Sequence, residues 1–300
     1  MNASPRPLRI ALTADLHYGT RHTAGNLATL ELATRLFERS PDVLILAGDI
    51  GAGDDFARCL DLFANLPCLK ALIPGNHDIW VTSTDPRGDS LRLYQQLLPQ
   101  LAHERGFHYL DHGPLLFPDH QLAIAGSINW YDHSWSIEDL KQTTPDWCER
   151  LRSKKFIRGR HNDYHYVRWP YTDGSFTNEC VDTLVKHIDD GLAQMARAIV
   201  VTHHPSFRGL NYPAREPYTL DDLLWRAFSG NQKLEDALRQ RSDRIAFTFS
   251  GHTHCARENR LGRTIGHNIG GDYHFKRLLW LEWPSGRIEA EEFGSDQARG

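Results

Sequence analysis

The spacing of apolar positions changes character along the chain. Leu8–Thr13 is a short apolar run, and Val43–Ala47 (VLILA) is continuous, the pattern of a strand buried on both faces. Leu69–Ile73 reads as a third strand. Between and after these runs the period lengthens. Residues 26–39 read as a helix, residues 54–66 place Phe56, Leu60 and Phe63 on one side, and residues 90–105 form a third helical stretch. Strand and helix alternate three times, which predicts parallel pairing and a layered α/β fold.

The middle of the chain breaks this rhythm. Residues 122–125 and Ile128 look like strand, but residues 130–178 are polar and rich in aromatics, with no clean period. A long irregular insertion of this kind serves either as a lid or pocket wall, or as a surface excursion that buries its aromatics for stability. Helical spacing returns over 177–195. The runs 198–202 (AIVVT) and Ile245–Ser250 (IAFTFS) read as buried strands, with loops and helices in 206–240 between them. The tail, 278–283 and 287–291, alternates like two strands joined by a turn at Pro284-Ser285-Gly286. No repeat or flexible linker interrupts the chain, so residues 1–300 are expected to form a single domain with an insertion at about 130–178.

Composition adds limits. Apolar residues are 40% and charged residues 24% of the 300, and the net charge is -4 with a pI near 6.5. No global field draws the chain to nucleic acid or an anionic membrane. A local basic strip (Arg150, Arg152, Lys154, Lys155, Arg158, Arg160) reads as a solvated helix face or a phosphate contact. The five cysteines are odd in number and include no CxxC pair, which fits a reducing compartment. The first residues lack a long apolar segment, and no run approaches the ~20 residues a membrane span needs. A cytoplasmic location and no membrane partner are expected.

Chemistry enters at the strand ends. Five short motifs each follow a predicted buried strand: Asp15-Leu16-His17, Gly48-Asp49, Gly75-Asn76-His77-Asp78, His203-His204-Pro205 and Gly251-His252-Thr253-His254. Ligands collect at the carboxyl ends of strands in α/β sheets, so loops from five strands can converge on one site. The first three motifs alone read as ordinary turns, the two paired-histidine motifs are stronger singly, and the set carries the case. Carboxylate, amide and imidazole donors without thiolate suit Zn, Mn, Fe or Co. They are too many for one tetrahedral ion and enough for two, with Asp49 able to bridge. Two such metals clamp the oxygens of an in-line displacement at phosphorus.

The ordered series D-x-H, GD, GNHD, H-x-P, GH-x-H resembles the calcineurin-like metallophosphoesterase superfamily, over Asp15 to His254. The resemblance implies a four-layer α/β fold, a β-sandwich of two mixed sheets flanked by helices. It implies two divalent or trivalent metal ions (Mn, Fe or Zn). Asp15, His17 and His254 would hold one, Asn76, His203 and His252 the other, and Asp49 would bridge them. His77 would contact the phosphate and protonate the leaving oxygen, with Asp78 hydrogen-bonded to it and Asn76 also touching phosphate. A metal-bridging hydroxide would attack without a covalent enzyme intermediate.

The substrate is less legible. GNHD replaces the GNHE of Ser/Thr protein phosphatases, and the series looks closer to bacterial stand-alone phosphodiesterases and phosphomonoesterases. A phosphodiesterase acting on a nucleotide or other small phosphoester is the expected activity. The alternatives are a phosphomonoesterase or protein phosphatase, a nuclease (disfavoured by the acidic charge), and a non-catalytic metal-binding scaffold. His204, Arg208 and Trp130 are candidate substrate-binding residues. Trp135 and Trp169 are further stacking candidates, and Arg215 a second anion-binding one. His267 and His274, flanking Gly270-Gly271-Asp272, are the expected pocket neighbours, while His161 and the remaining histidines read as surface or packing residues.

Overall fold

A computed structural model of the chain describes residues 6–19, 21–213 and 216–294. In chain order the elements are β1 (Leu8–Thr13), α1 (Thr23–Arg39), β2 (Val43–Ala47), α2 (Asp55–Asp61) and β3 (Leu69–Ile73). Then come α3 (Ser90–Arg92), a π turn (Leu93–Leu97), α4 (Leu98–Glu104), β4 (Phe107–Tyr109), β5 (Leu115–Phe117) and β6 (Leu122–Ser127). The insertion supplies α5 (Ile137–Thr143), α6 (Trp147–Arg152) and α7 (Asp163–Tyr166), followed by α8 (Asp173–Gln194) and β7 (Arg197–Thr202). The chain closes with α9 (Leu220–Ala227), α10 (Gln232–Gln240), β8 (Ile245–Ser250), β9 (Arg257–Leu261), β10 (Thr264–Asn268), β11 (Lys276–Trp283) and β12 (Arg287–Phe293).

The strands form two six-stranded mixed sheets, ordered β12-β11-β1-β2-β3-β4 and β5-β6-β7-β8-β10-β9. In the first, β1, β2, β3 and β4 run parallel, and β11 pairs antiparallel with both β1 and β12. In the second, β6, β7, β8 and β10 run parallel, with β5 and β9 antiparallel at the edges. Alternation within each strand decides the layers. Ile10, Leu12, Val43, Ile45 and Ile73 of the first sheet meet Ile124, Ile199, Val201, Phe247 and Phe249 of the second in one cluster between the sheets. Ala11, Leu44, Leu46 and Leu72 point the other way, onto Leu32 and Leu36 of α1 and Phe56 and Leu60 of α2. Ala198 and Val200 likewise meet Leu184 and Ile188 of α8 and Leu234 and Leu238 of α10. The result is the four-layer α/β sandwich, helices outside and sheets inside.

Four strands, β1, β2, β3 and β8, have the bounds their patterns predict. β4 and β5 are too short to show a period. β9 reads Arg257-Glu258-Asn259-Arg260-Leu261, polar almost throughout because it is an edge strand facing water. The insertion is neither loose nor a free lid. Trp130, Tyr131, Leu140, Leu151, Phe156 and Phe176 are buried with Leu224 of α9 and Phe228 just after it, in the same cluster that covers the first sheet. Most of its aromatics are therefore core. Among the described residues no helix is long and apolar enough to cross a membrane.

Candidate metal centre

The parallel strands of both sheets end at one edge of the sandwich, and their loops are tied to each other there. Beyond β1 and β2 the ladder continues into the loops: Asp15 N–H donates to the Gly48 carbonyl (3.1 Å) and His17 N–H to the Asp49 carbonyl (2.8 Å). The β7 and β8 loops are joined by Gly251 N–H to the His203 carbonyl (3.0 Å). The sheets themselves are joined where His252 N–H donates to Asp15 Oδ1 (2.9 Å). Gly75 makes a close approach of the same kind. A Cβ there would lie 2.1 Å from Asp49 Oδ1 and 2.3 Å from Asp49 N, so only glycine lets the β3 loop reach the β2 loop.

All seven expected donors, from Asp15 to His254, meet at this edge. His17 Nε2 and His254 Nε2 are 3.0 Å apart. His17 Nε2 is 3.6 Å from Asp49 Oδ2, and His254 Nε2 is 3.8 Å from Asp15 Oδ1. The donor atoms of Asp15, His17, Asp49 and His254 all lie within 4.8 Å of one another. On the other side, His203 Nε2 is 3.3 Å from Asp49 Oδ1 and 3.1 Å from Asn76 Oδ1, and its ring centroid is 5.3 Å from that of His252. Asp49 thus turns one oxygen to each group.

These contacts fit cations. Donors about 2.0–2.2 Å from a metal lie roughly 3–3.5 Å from each other, the spacing seen here. Asp15 Oδ2 is buried and has no hydrogen-bond partner, an arrangement a neighbouring cation would satisfy. Two imidazole nitrogens facing each other at 3.0 Å have at most one proton to share and otherwise need a common positive partner.

Protonation tells the same story. Burial pushes the Asp15 carboxyl up, more than His254 and His203 pull it down. Burial, then His77, holds the His17 imidazole well below its ordinary range, and burial, then His204, does so for His252. Burial also opposes charge on His203, but Asp49 beside it holds the pKa up at about 9. Burial likewise opposes the Asp49 charge, and His203 and His77 reverse this, leaving it well below the usual carboxylate range.

The centre opens into a cleft of about 750 Å³, lined by His77, Trp80 and Tyr273 and by Phe156, His161, Tyr212 and Trp225. His77 stacks on Trp80 (centroids 3.6 Å apart), and its Nε2 is 3.8 Å from Asp49 Oδ2. Burial holds the His77 pKa below its ordinary value despite Asp49 and Asp163. Tyr273 stacks on His17 at 4.2 Å.

Several expected roles fall elsewhere. Asp78 makes no hydrogen bond to His77. Its Oδ1 accepts from Ile50 and Gly51 N–H (both 2.9 Å) and its Oδ2 from Gly75 N–H (2.7 Å), so it clamps the β2 loop to the β3 loop. Burial and the Asp49 charge raise its pKa to about 7, against the pull of those donors. Trp130 is fully buried and gives its indole N–H to Asp173, so it cannot stack on a substrate. Trp135 is also buried, and Trp169 packs on Phe176 away from the cleft. His204 lies behind His252 (centroids 4.1 Å), where burial lowers its pKa to about 3, and it does not line the cleft. Arg208 points to Gln232 on the outer surface. Arg215 lies outside the described residues. His267 stacks on Phe249 and His274 is exposed against His22; Tyr273, beside them in sequence, is the cleft residue. From the basic strip, Arg158 and Arg160 line the cleft, while Arg150 and Arg152 pair with Asp146 and Glu149.

Trp80, His161 and Asp163 were not anticipated as site residues. Trp80 sits in no catalytic motif. His161 and Asp163 form an H-x-D at the strand-free centre of the insertion, a pairing visible in the sequence but without a strand to place it.

Comparisons with known proteins agree with this geometry. The calcineurin-like phosphoesterase family model matches residues 8–256. Over 101 residues the chain is 33% identical to the acyl-carrier-protein phosphodiesterase PptH of Mycobacterium tuberculosis (strain ATCC 25618 / H37Rv). That alignment covers 33% of this chain and 29% of the relative, less than a third of its length. The crystal structure of the phosphopantetheinyl hydrolase PptH from Mycobacterium tuberculosis superposes with a TM-score of 0.70 at 22% identity, over 89% of this chain and 90% of that one. A dimetal phosphatase from Danio rerio superposes at 0.57 and 14% identity, over 97% and 99%. At these identities the structural likeness shows the fold.

Proposed function

The chain belongs to the calcineurin-like phosphoesterase family and is a metal-dependent phosphoester hydrolase, and from that premise we propose that it is a phosphodiesterase acting on a substrate with one large substituent. One observation carries the reading: Asp49 stands between two donor sets at the mouth of a cleft that continues well past them to Tyr212 and Trp225. A large ester substituent would occupy that room.

Asp15, His17 and His254 would hold one cation and Asn76, His203 and His252 the other, with Asp49 between the two sets. When bound, two ions of the Mn, Fe or Zn type supply Lewis acidity that acidifies water and offsets charge at phosphorus. The protein's own residues orient the ester. His77, neutral near pH 7 because burial lowers its pKa, donates an N–H to a phosphate oxygen, with its ring fixed by Trp80. Arg158 and Arg160 lie where a second anionic group would reach. Tyr212 and Trp225, both half exposed, offer aromatic surface to a base or another flat group. All five cysteines are free thiols, in keeping with a cytoplasmic enzyme.

A nucleotide diester fits the aromatic walls. A phosphopantetheinyl group on a carrier protein is a second reading, favoured by the name of the 33% identical relative. The test compares hydrolysis of bis-p-nitrophenyl phosphate and p-nitrophenyl phosphate by chelator-treated protein given Mn, beside Asp49→Asn. Diester turnover that requires Mn and Asp49 is expected, and preference for the monoester would overturn the proposal. Cyclic nucleotides and a phosphopantetheinylated carrier protein, read by mass spectrometry, then separate the two substrates.

A further inference from the structure

The insertion reaches the centre through two residues that the reading so far leaves without a role. His161 is 6% exposed, and its ring is wedged among Trp225, Phe228 and His252, at centroid distances of 5.5, 5.6 and 6.4 Å. It is also part of the cleft wall. The backbone N–H of Asp163 donates to His161 Nδ1 (3.3 Å), and Asp163 Oδ2 lies at the same distance. In the neutral ring, an accepting Nδ1 leaves the proton on Nε2, the nitrogen that remains for the cleft.

Asp163 is itself 1% exposed and serves four groups at once. Its Oδ1 accepts from Asn76 Nδ2 (2.9 Å) and from the indole N–H of Trp80 (2.8 Å), and its Oδ2 from the Tyr131 hydroxyl (2.8 Å). An amide side chain can sit in either of two flips. An acceptor on one side fixes it with Nδ2 toward Asp163 and Oδ1 toward the centre, 3.1 Å from His203 Nε2. The same carboxylate holds Trp80, on which His77 stacks. One buried charge from the insertion therefore sets the orientation of a candidate metal donor and of both cleft imidazoles.

We infer that His161 contacts the substrate, donating its Nε2–H to a phosphoryl oxygen, and that Asp163 is the positioning residue that holds His161 and Asn76. This rests on the metal-centre assignment above. The insertion is then part of the active site, with Asp163 beside His161 Nδ1 and bonded to Asn76.

The test uses inorganic phosphate and Mn as probes. By calorimetry on Mn-loaded protein, His161→Ala should bind phosphate about 10- to 100-fold more weakly than wild type, the range expected for a hydrogen bond to a charged group. Its Mn affinity should be unchanged, and His161→Gln, which keeps an N–H donor, should recover part of the loss. In chelator-treated protein, Asp163→Asn should lower Mn affinity by about 10- to 100-fold, as loss of a group that orients a metal ligand does. Asp163→Glu replaces it if Asp163→Asn does not fold. Wild-type phosphate affinity in His161→Ala, or wild-type Mn affinity in the Asp163 variant, would overturn the inference. A wild-type protein that binds phosphate but leaves diesters intact would defeat the phosphodiesterase proposal alone, because the phosphate titration still decides the role of His161.

Discussion

Asp15, His17, Asp49, His252 and His254 all have φ between 42° and 70°, the left-handed region that side chains other than glycine rarely adopt. Each such residue costs about 1–3 kcal/mol unless its surroundings impose it. Five of them converging at one edge of the sandwich mark a backbone shaped for its side chains' task. Gly75 belongs to the same design. Gly75→Ala would drive a methyl group into Asp49, and we expect at least a hundredfold loss of Mn affinity by titration of the chelator-treated protein. Asp78→Ala would strand the N–H groups of Ile50, Gly51 and Gly75. Urea unfolding should show a loss of about 3 kcal/mol or more, whether or not metal is present.

At the scale of elements, the insertion and α8 are joined by Asp173, the first residue of that helix. It accepts from the Trp130 indole, pairs with Lys154 and lies 3.4 Å from His133. Burial opposes its charge, but Lys154 and His133 hold the pKa down at about 2. A carboxyl depressed on folding stabilises at pH values above its unfolded pKa near 3.8, and that stability drains away as pH falls toward 2. Asp173→Asn should therefore cost about 2 kcal/mol at pH 7, with the gap to wild type narrowing below about pH 4 in urea titrations. Two tryptophans separate packing from binding. Trp130→Ala should destabilise by about 3–5 kcal/mol, as loss of a fully buried indole does. Trp225→Ala, half exposed on the cleft wall, should raise KM for aryl diesters while leaving the melting temperature within a few degrees.

At the scale of the whole molecule, the two sheets meet at the centre and are held there by polar contacts such as His252 N–H to Asp15 Oδ1. Buried carboxylates and imidazoles lie close together, with Asp15 Oδ2 unpartnered. Cations that bind only the folded state add RT ln(1 + [L]/Kd) to its stability. Mn at a thousandfold excess over its Kd should then stabilise chelator-treated protein by about 4 kcal/mol, seen as a higher melting temperature. Asp49→Asn should abolish most of that shift. A melting temperature indifferent to Mn, Fe and Zn would remove the metal centre itself.

Much of this is legible in the sequence. Buried parallel strands such as VLILA need apolar residues on both faces, so their bounds appear in one dimension, and the motifs that follow them inherit their place at the strand ends. Strand direction does the rest: parallel strands in both sheets bring Asp15, Asp49, Asn76, His203 and His252 to the same edge. What local pattern could not carry is the environment of a side chain set by distant residues. Trp130 and Trp225 look alike in sequence, yet one is sealed under α8 and the other faces the cleft, because packing between elements far apart in the chain decides exposure. Asp78 turned to three backbone donors rather than to its neighbour His77 since loops from two strands close around it. His161 and Asp163 sit in a stretch without period, and only the tertiary fold, which folds the insertion back over the sheet edge, places that histidine beside His252.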